Sequence, residues 1–225
     1  DRMKNLTLSK KNVEIERKVI LEERFQRIES DPSAQLDESM RRILFPNHYY
    51  GRPIIGWKHE ITNLNYNDVK EFYKNHYNPK NALLVLSGDI NLLKSKEIVK
   101  KYFSDIKNNA GEKNIKVSDP DLKSNVYVEL KHPTVQQNVW KKIYRVNSYK
   151  DSIKKGMALD LGLKILAGGT ASSLYDEFVN KKKIFSMIGG FYNGLAKEQG
   201  YVYFYAIPKT SMDEKYINDL IYDHL

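Results

Sequence analysis

The chain has 225 residues, 37 basic and 28 acidic, for a net charge of +9; 41% of residues are hydrophobic and 12% aromatic. That composition excludes general disorder, and the lack of any cysteine excludes a disulfide scaffold, thiolate chemistry and a Cys-ligated metal. The positive excess is spread evenly, 20 basic against 15 acidic residues through Ala110 and 17 against 13 beyond it, so no nucleic-acid partner is expected. No apolar run reaches the length of a membrane span, so no transmembrane segment is expected, and the polar start does not resemble a signal peptide.

In chain order, residues Val13 to Ile28 repeat at three and four and predict a helix. Asp31-Pro32-Ser33 stops it, and either Ser33 or Asp31 caps a second helix, Ala34 to Leu44. His48 to Gly56 reads as a loop from its prolines and glycines. Asn65 caps a helix from Asn67 to His76. The apolar run Ala82 to Ser87 reads as a buried strand, and Leu92 to Phe103 as a helix.

Lys107 to Asn125 is the least apolar stretch and the expected linker, which gives domains 1–111 and 112–225. Beyond it, Val126 to Leu130 and Val139 to Val146 read as strands, and Ser152 to Leu166 as a rather apolar helix. After the Gly168-Gly169-Thr170 turn, a short helix covers Ser172 to Val179. Strands follow at Met187 to Phe191 and Tyr201 to Ile207, and Ser211 or Asp213 opens a last helix. The expected class is α+β: two domains, each a mostly antiparallel sheet packed with helices.

Three places could carry chemistry. Glu16 and Glu23 lie seven residues apart, nearly two turns, so their carboxylates share a helix face with Val19 and Ile20 near them. They are either edge residues paired with Arg17, Arg24, Arg27 or a neighbouring helix, or acids held for a metal. The five histidines contain no pair three or four apart and assemble no zinc site. The Gly168 to Ser173 turn lacks the pattern of a phosphate loop and is explained as a tight turn with a serine cap.

Glu16-Arg17-Lys18-Val19-Ile20-Leu21-Glu22-Glu23 resembles the segment downstream of the inverted zinc motif in the pitrilysin (insulinase) family of zinc metallopeptidases. The likeness is to the bacterial zinc proteases related to the mitochondrial processing peptidase. It continues through Tyr50 to Gly56, Leu64 to Tyr77 and Asn81 to Asp89, and resumes at Leu166-Ala167-Gly168-Gly169-Thr170-Ala171-Ser172-Ser173-Leu174-Tyr175. The resemblance implies that Glu23 is the metal-binding glutamate of a His, His, Glu zinc site. Glu16 would be the acid behind it that orients a liganding histidine.

The family's His-x-x-Glu-His, with its general base, is expected upstream of Asp1, so the catalytic set is incomplete here and the first domain is expected to be incomplete. The implied function is part of a zinc-dependent endopeptidase that cuts peptides in an enclosed chamber, inactive alone and without tight zinc at Glu23. Its implied partners are a peptide substrate and a second peptidase half, from another subunit or later domains. The alternative is a non-catalytic partner or scaffold subunit of the same family. The family's substrate-binding arginine and tyrosine fall at Asn180 and Met187, which lack the guanidinium and the hydroxyl. A periplasmic or cytoplasmic bacterial location is expected.

Overall fold

The computed structural model describes residues 3, 5–106 and 117–224. Two compact units divide the chain: residues 1–30 with 52–118, and residues 31–51 with 119–225. The expected boundary at 111/112 lies outside the described residues.

The first unit is helical among the described residues. Helix α1 (Lys10–Arg24) is capped by Ser9, whose side chain accepts from the Asn12 amide, and it continues as a wider turn over Phe25–Glu29. After α2 (Pro32–Leu44), which belongs to the second unit, come α3 (Lys58–Asn63), α4 (Tyr66–His76) and α5 (Leu92–Phe103). Asn65 caps α4 as the sequence predicts, and a full capping box forms because Asp68 accepts from the Asn65 amide in return. Asn91 caps α5 in the same way through the Leu93 and Lys94 amides.

The inward stripe of α1 includes the buried residues Val13 and Arg24. Arg24 donates to the Gly56 carbonyl at 2.8 Å and faces Glu29 at 3.5 Å, and Arg17 donates to the Leu64 carbonyl at 2.8 Å. These bonds fasten α1 across the two ends of α3.

Ala82 to Ser87, predicted as a buried strand, pairs with no strand among the described residues, and Leu83 is 89% exposed. An apolar run favours the extended backbone, but a strand needs a neighbour to complete its ladder. Val126 to Leu130 departs from its prediction for the same reason, with Val126 and Tyr127 exposed. The sheet expected in the first domain is therefore not present among its described residues.

The second unit holds an antiparallel sheet of β1 (Trp140–Val146), β2 (Phe185–Asn193) and β3 (Gly200–Pro208), in the order β1-β3-β2. Helices α6 (Ile153–Ala167), α7 (Ser173–Tyr175, then a wider turn over Asp176–Lys181) and α8 (Glu214–Tyr222) complete it. One sheet face carries Ile188 and Ala206, which pack with Ala167, Leu174, Phe178 and Phe185 and with Ile217 and Ile221 of α8. Period-2 alternation sends Tyr201, Tyr203 and Tyr205 to the other face. There α2 (Pro32–Leu44) is tied to the sheet, its N-terminus capped by Asp31.

The loop after α2 is held by Asp119, whose Oδ1 accepts from the amides of Asn47 at 2.7 Å and His48 at 3.1 Å. The same buried carboxylate faces buried Arg145 of β1 at 3.8 Å.

Gly190 lets α6 and β3 approach β2 closely. A Cβ there would lie 2.8 Å from the Tyr203 carbonyl oxygen and 3.2 Å from the Ala167 Cβ. Because one contact is backbone, a side chain cannot simply swing aside. Gly190→Ala is expected to destabilise the unit by roughly 1–3 kcal/mol, the usual range for overpacking. Denaturant unfolding should show a lower midpoint with an unchanged slope; an unchanged midpoint would contradict this packing.

Candidate functional site

On α1 the inward residues turn away from Glu16, Val19 and Glu23, which share an open face. Glu16 and Val19 are exposed, and the Glu23 side chain is 44% accessible. Of the three arginines considered for pairing, only Arg27 meets a glutamate of this face: its Nη2 lies 2.9 Å from Glu23 Oε1. Arg17 and Arg24 are engaged by the carbonyls of Leu64 and Gly56. Glu16 makes no hydrogen bond or ion pair among the described residues.

Glu23 therefore presents carboxylate oxygens on an accessible helix face, a donor type suited to zinc. Among the described residues no group of three His, Asp or Glu side chains could hold a metal.

The histidines are dispersed. His48 Nδ1 accepts from the Tyr50 amide at 3.1 Å, His132 Nδ1 meets Thr134 Oγ1 at 2.9 Å, and His224 packs against Phe178. The glycine turn closes on itself. Ser172 is buried, and its hydroxyl donates to the Gly169 carbonyl at 2.6 Å.

In the second unit, Asn180 lies in the turn after α7, exposed, with its amide 3.3 Å from Asp176 Oδ1. Met187 lies on β2, half exposed. Asp176 is held below the usual carboxylate range, first by its hydrogen bond from Lys181 and then by that from Asn180.

A cleft of about 410 Å³ in this unit opens between α2 and the sheet, lined by Asp37, Arg41, Lys141, Phe191, Tyr201 and Tyr203 among others. Lys141 Nζ donates to Asp37 Oδ1 at 2.8 Å, Ser33 Oγ at 2.6 Å and the Ser33 carbonyl at 3.0 Å, which uses all three of its protons. Tyr203 Oη donates to the same Asp37 oxygen at 2.9 Å. Burial, then the Asp37 charge and hydrogen bond, push the Tyr203 phenol far above its ordinary range. Sequence reasoning missed this cluster, since Asp37 and Lys141 stand 104 residues apart. Its polar groups satisfy one another, so it anchors α2 and offers a ligand no free charge at Lys141.

Comparison with known proteins matches residues 63–222 to the peptidase M16 inactive domain. A zinc protease of Helicobacter pylori, PqqE, is 31% identical over 189 residues, covering 82% of this chain and 41% of that protein. The crystal structure of a protease from Helicobacter pylori superposes with a TM-score of 0.78 at 26% identity, over 98% of this chain and 53% of that one. A peptidase M16 inactive domain from Pseudomonas fluorescens shares the fold, with a TM-score of 0.75 at 16% identity over 99% of this chain and 52% of that one. The chain thus spans about half the length of these relatives, or less.

Proposed function

Because this chain belongs to the peptidase M16 family, we propose that it works as part of a zinc-dependent endopeptidase. The supporting observation is that α1 leaves Glu23 and Glu16 on one open face while Arg17 and Arg24 are bonded to the carbonyls of Leu64 and Gly56. In this reading Glu23 is the carboxylate arm of a zinc site whose histidines and general base lie in polypeptide outside the 225 residues. Glu16 would accept from a liganding imidazole, fixing its orientation and basicity. When bound, the zinc supplies Lewis-acid polarisation of the scissile carbonyl and lowers the pKa of a water.

The second unit would give the peptide a wall. Neither Asn180 nor Met187 places a cation or a hydroxyl at the positions the family resemblance marks, so tetrahedral-intermediate stabilisation belongs to another half. A second reading, a non-catalytic partner or scaffold subunit, draws support from the match of residues 63–222 to the inactive-domain model.

Calorimetric titration of the 225-residue chain with zinc is expected to show no one-to-one site that depends on Glu23, and the chain alone should not cleave peptides. A longer polypeptide that includes it should bind one zinc per chain and hydrolyse peptides. A tight site in the short chain, lost in Glu23→Gln, would overturn the divided-site reading. A zinc-free, inactive long form would favour the scaffold.

A further inference from the structure

Helix α6 is apolar beyond its buried side as well. Gly156, Leu163 and Ala167 are its buried residues, and it packs against β2 and α7. Away from these, Ile153, Met157, Leu161 and Ile165 recur every four residues at 68%, 61%, 62% and 64% exposure. Four large apolar side chains in one exposed row form a contiguous patch, not scattered exposure.

We propose that this outward face of α6 seats a second helix with carboxylates along its flanks, supplied by the part of the same polypeptide that lies outside these 225 residues.

The shape of the face selects a helix. Residues four apart form one of the ridges that interdigitate between packed helices, crossing at about −50°. Beside this ridge Ala158 and Gly162 leave a shallow groove: a Cβ added at Gly162 would meet nothing within 4 Å.

Charge selects the partner's chemistry. Lys154 and Lys155 are exposed at the start of the face, and Lys164 stands near its end, 3.6 Å from Asp160. Two copies packed antiparallel about the middle of α6 would set Lys154 of one beside Lys164 of the other, which disfavours self-pairing. Acidic flanks would complement Lys154 and Lys155. The relatives have room for such a helix, because this chain covers only 41% of the Helicobacter pylori zinc protease and 53% of the solved protease chain.

The proposal rests on the reading that the chain is part of a longer peptidase, and a thiol probe tests it separately from catalysis. The chain has no cysteine, so Leu161→Cys introduces one thiol at an exposed position. Its alkylation by iodoacetamide would be followed in the 225-residue chain and in the full-length protein, any native cysteines there replaced by serine. In the short chain the thiol should react within a few-fold of its rate in urea, at every protein concentration. In the full-length protein it should be protected at least 100-fold. Carbodiimide should then join Lys154 or Lys155 to an Asp or Glu outside the 225 residues, read by mass spectrometry.

Equal reactivity in both forms overturns the proposal. So does protection that appears in the short chain as its concentration rises, which would mean a second copy. A full-length protein that lacks zinc and peptidase activity but protects the thiol would sink the proposed function and leave this docking face standing.

Discussion

Replacing Asp37 with leucine is expected to destabilise the second unit by about 3 kcal/mol, the low end for breaking a buried ion pair. The Lys141 side chain is only 5% exposed, and among the described residues Asp37 is its one counter-charge, at 2.8 Å. Without that carboxylate the ammonium keeps two neutral acceptors on Ser33, and the Tyr203 hydroxyl loses its acceptor. The magnitude sits at the low end because Asp37 itself is 43% exposed, so its surroundings are partly wet.

The reverse change is milder. Lys141→Met leaves Asp37 partly hydrated and still bonded to Tyr203, so roughly 1 kcal/mol is expected. The double variant Asp37→Leu, Lys141→Met should recover most of the loss, because replacing both members of a buried pair with apolar groups is often neutral or better. Chemical unfolding of the four proteins checks this. A loss that merely adds in the double variant would show that the two side chains are not coupled.

In a full-length zinc-binding form, Glu23→Gln is expected to lower zinc affinity more than 100-fold and peptide hydrolysis with it. Glu16→Gln should cost about 10 to 100-fold, the usual effect of a group acting behind a ligand. The fold should hardly notice either change. Glu23 makes an accessible pair with Arg27, four residues on, and such pairs are worth about 0.3–0.5 kcal/mol. Thermal unfolding of the 225-residue Glu23→Gln chain should therefore match the unsubstituted chain while metal content falls in the long form. Retained stoichiometric zinc in long-form Glu23→Gln would remove Glu23 from the site.

Local signals in the sequence carried the helices well, because their causes are local. The caps at Asp31 and Asn65 and the three-four spacing of α1 are decided within a few residues. The strands Met187 to Phe191 and Tyr201 to Ile207 were legible too, two residues short at most at either end. Ala82 to Ser87 and Val126 to Leu130 were not, since a strand's existence depends on a neighbour that composition does not reveal. The joining of residues 31–51 to the second unit was invisible because its tie runs from Ser33 and Asp37 to Lys141. For the acidic pair on α1, spacing alone left surface pairing and metal binding open, and the family resemblance supplied the zinc reading. What spacing could not show was which arginines turn inward, a matter decided by the carbonyls of Leu64 and Gly56.

The grouping of residues 31–51 with 119–225 has a bearing on how the chain is made. Helix α2 leaves the ribosome long before its seat exists: Asp37 precedes Lys141 by 104 residues. At about 5–20 residues per second, α2 waits roughly 5–20 s for β1 to be synthesised. During that interval residues 52–118 emerge and join residues 1–30, already made, to complete the first unit. The first unit can therefore be completed from its two segments while α2, strung between them, stands by, and the second can close only after synthesis has passed β3.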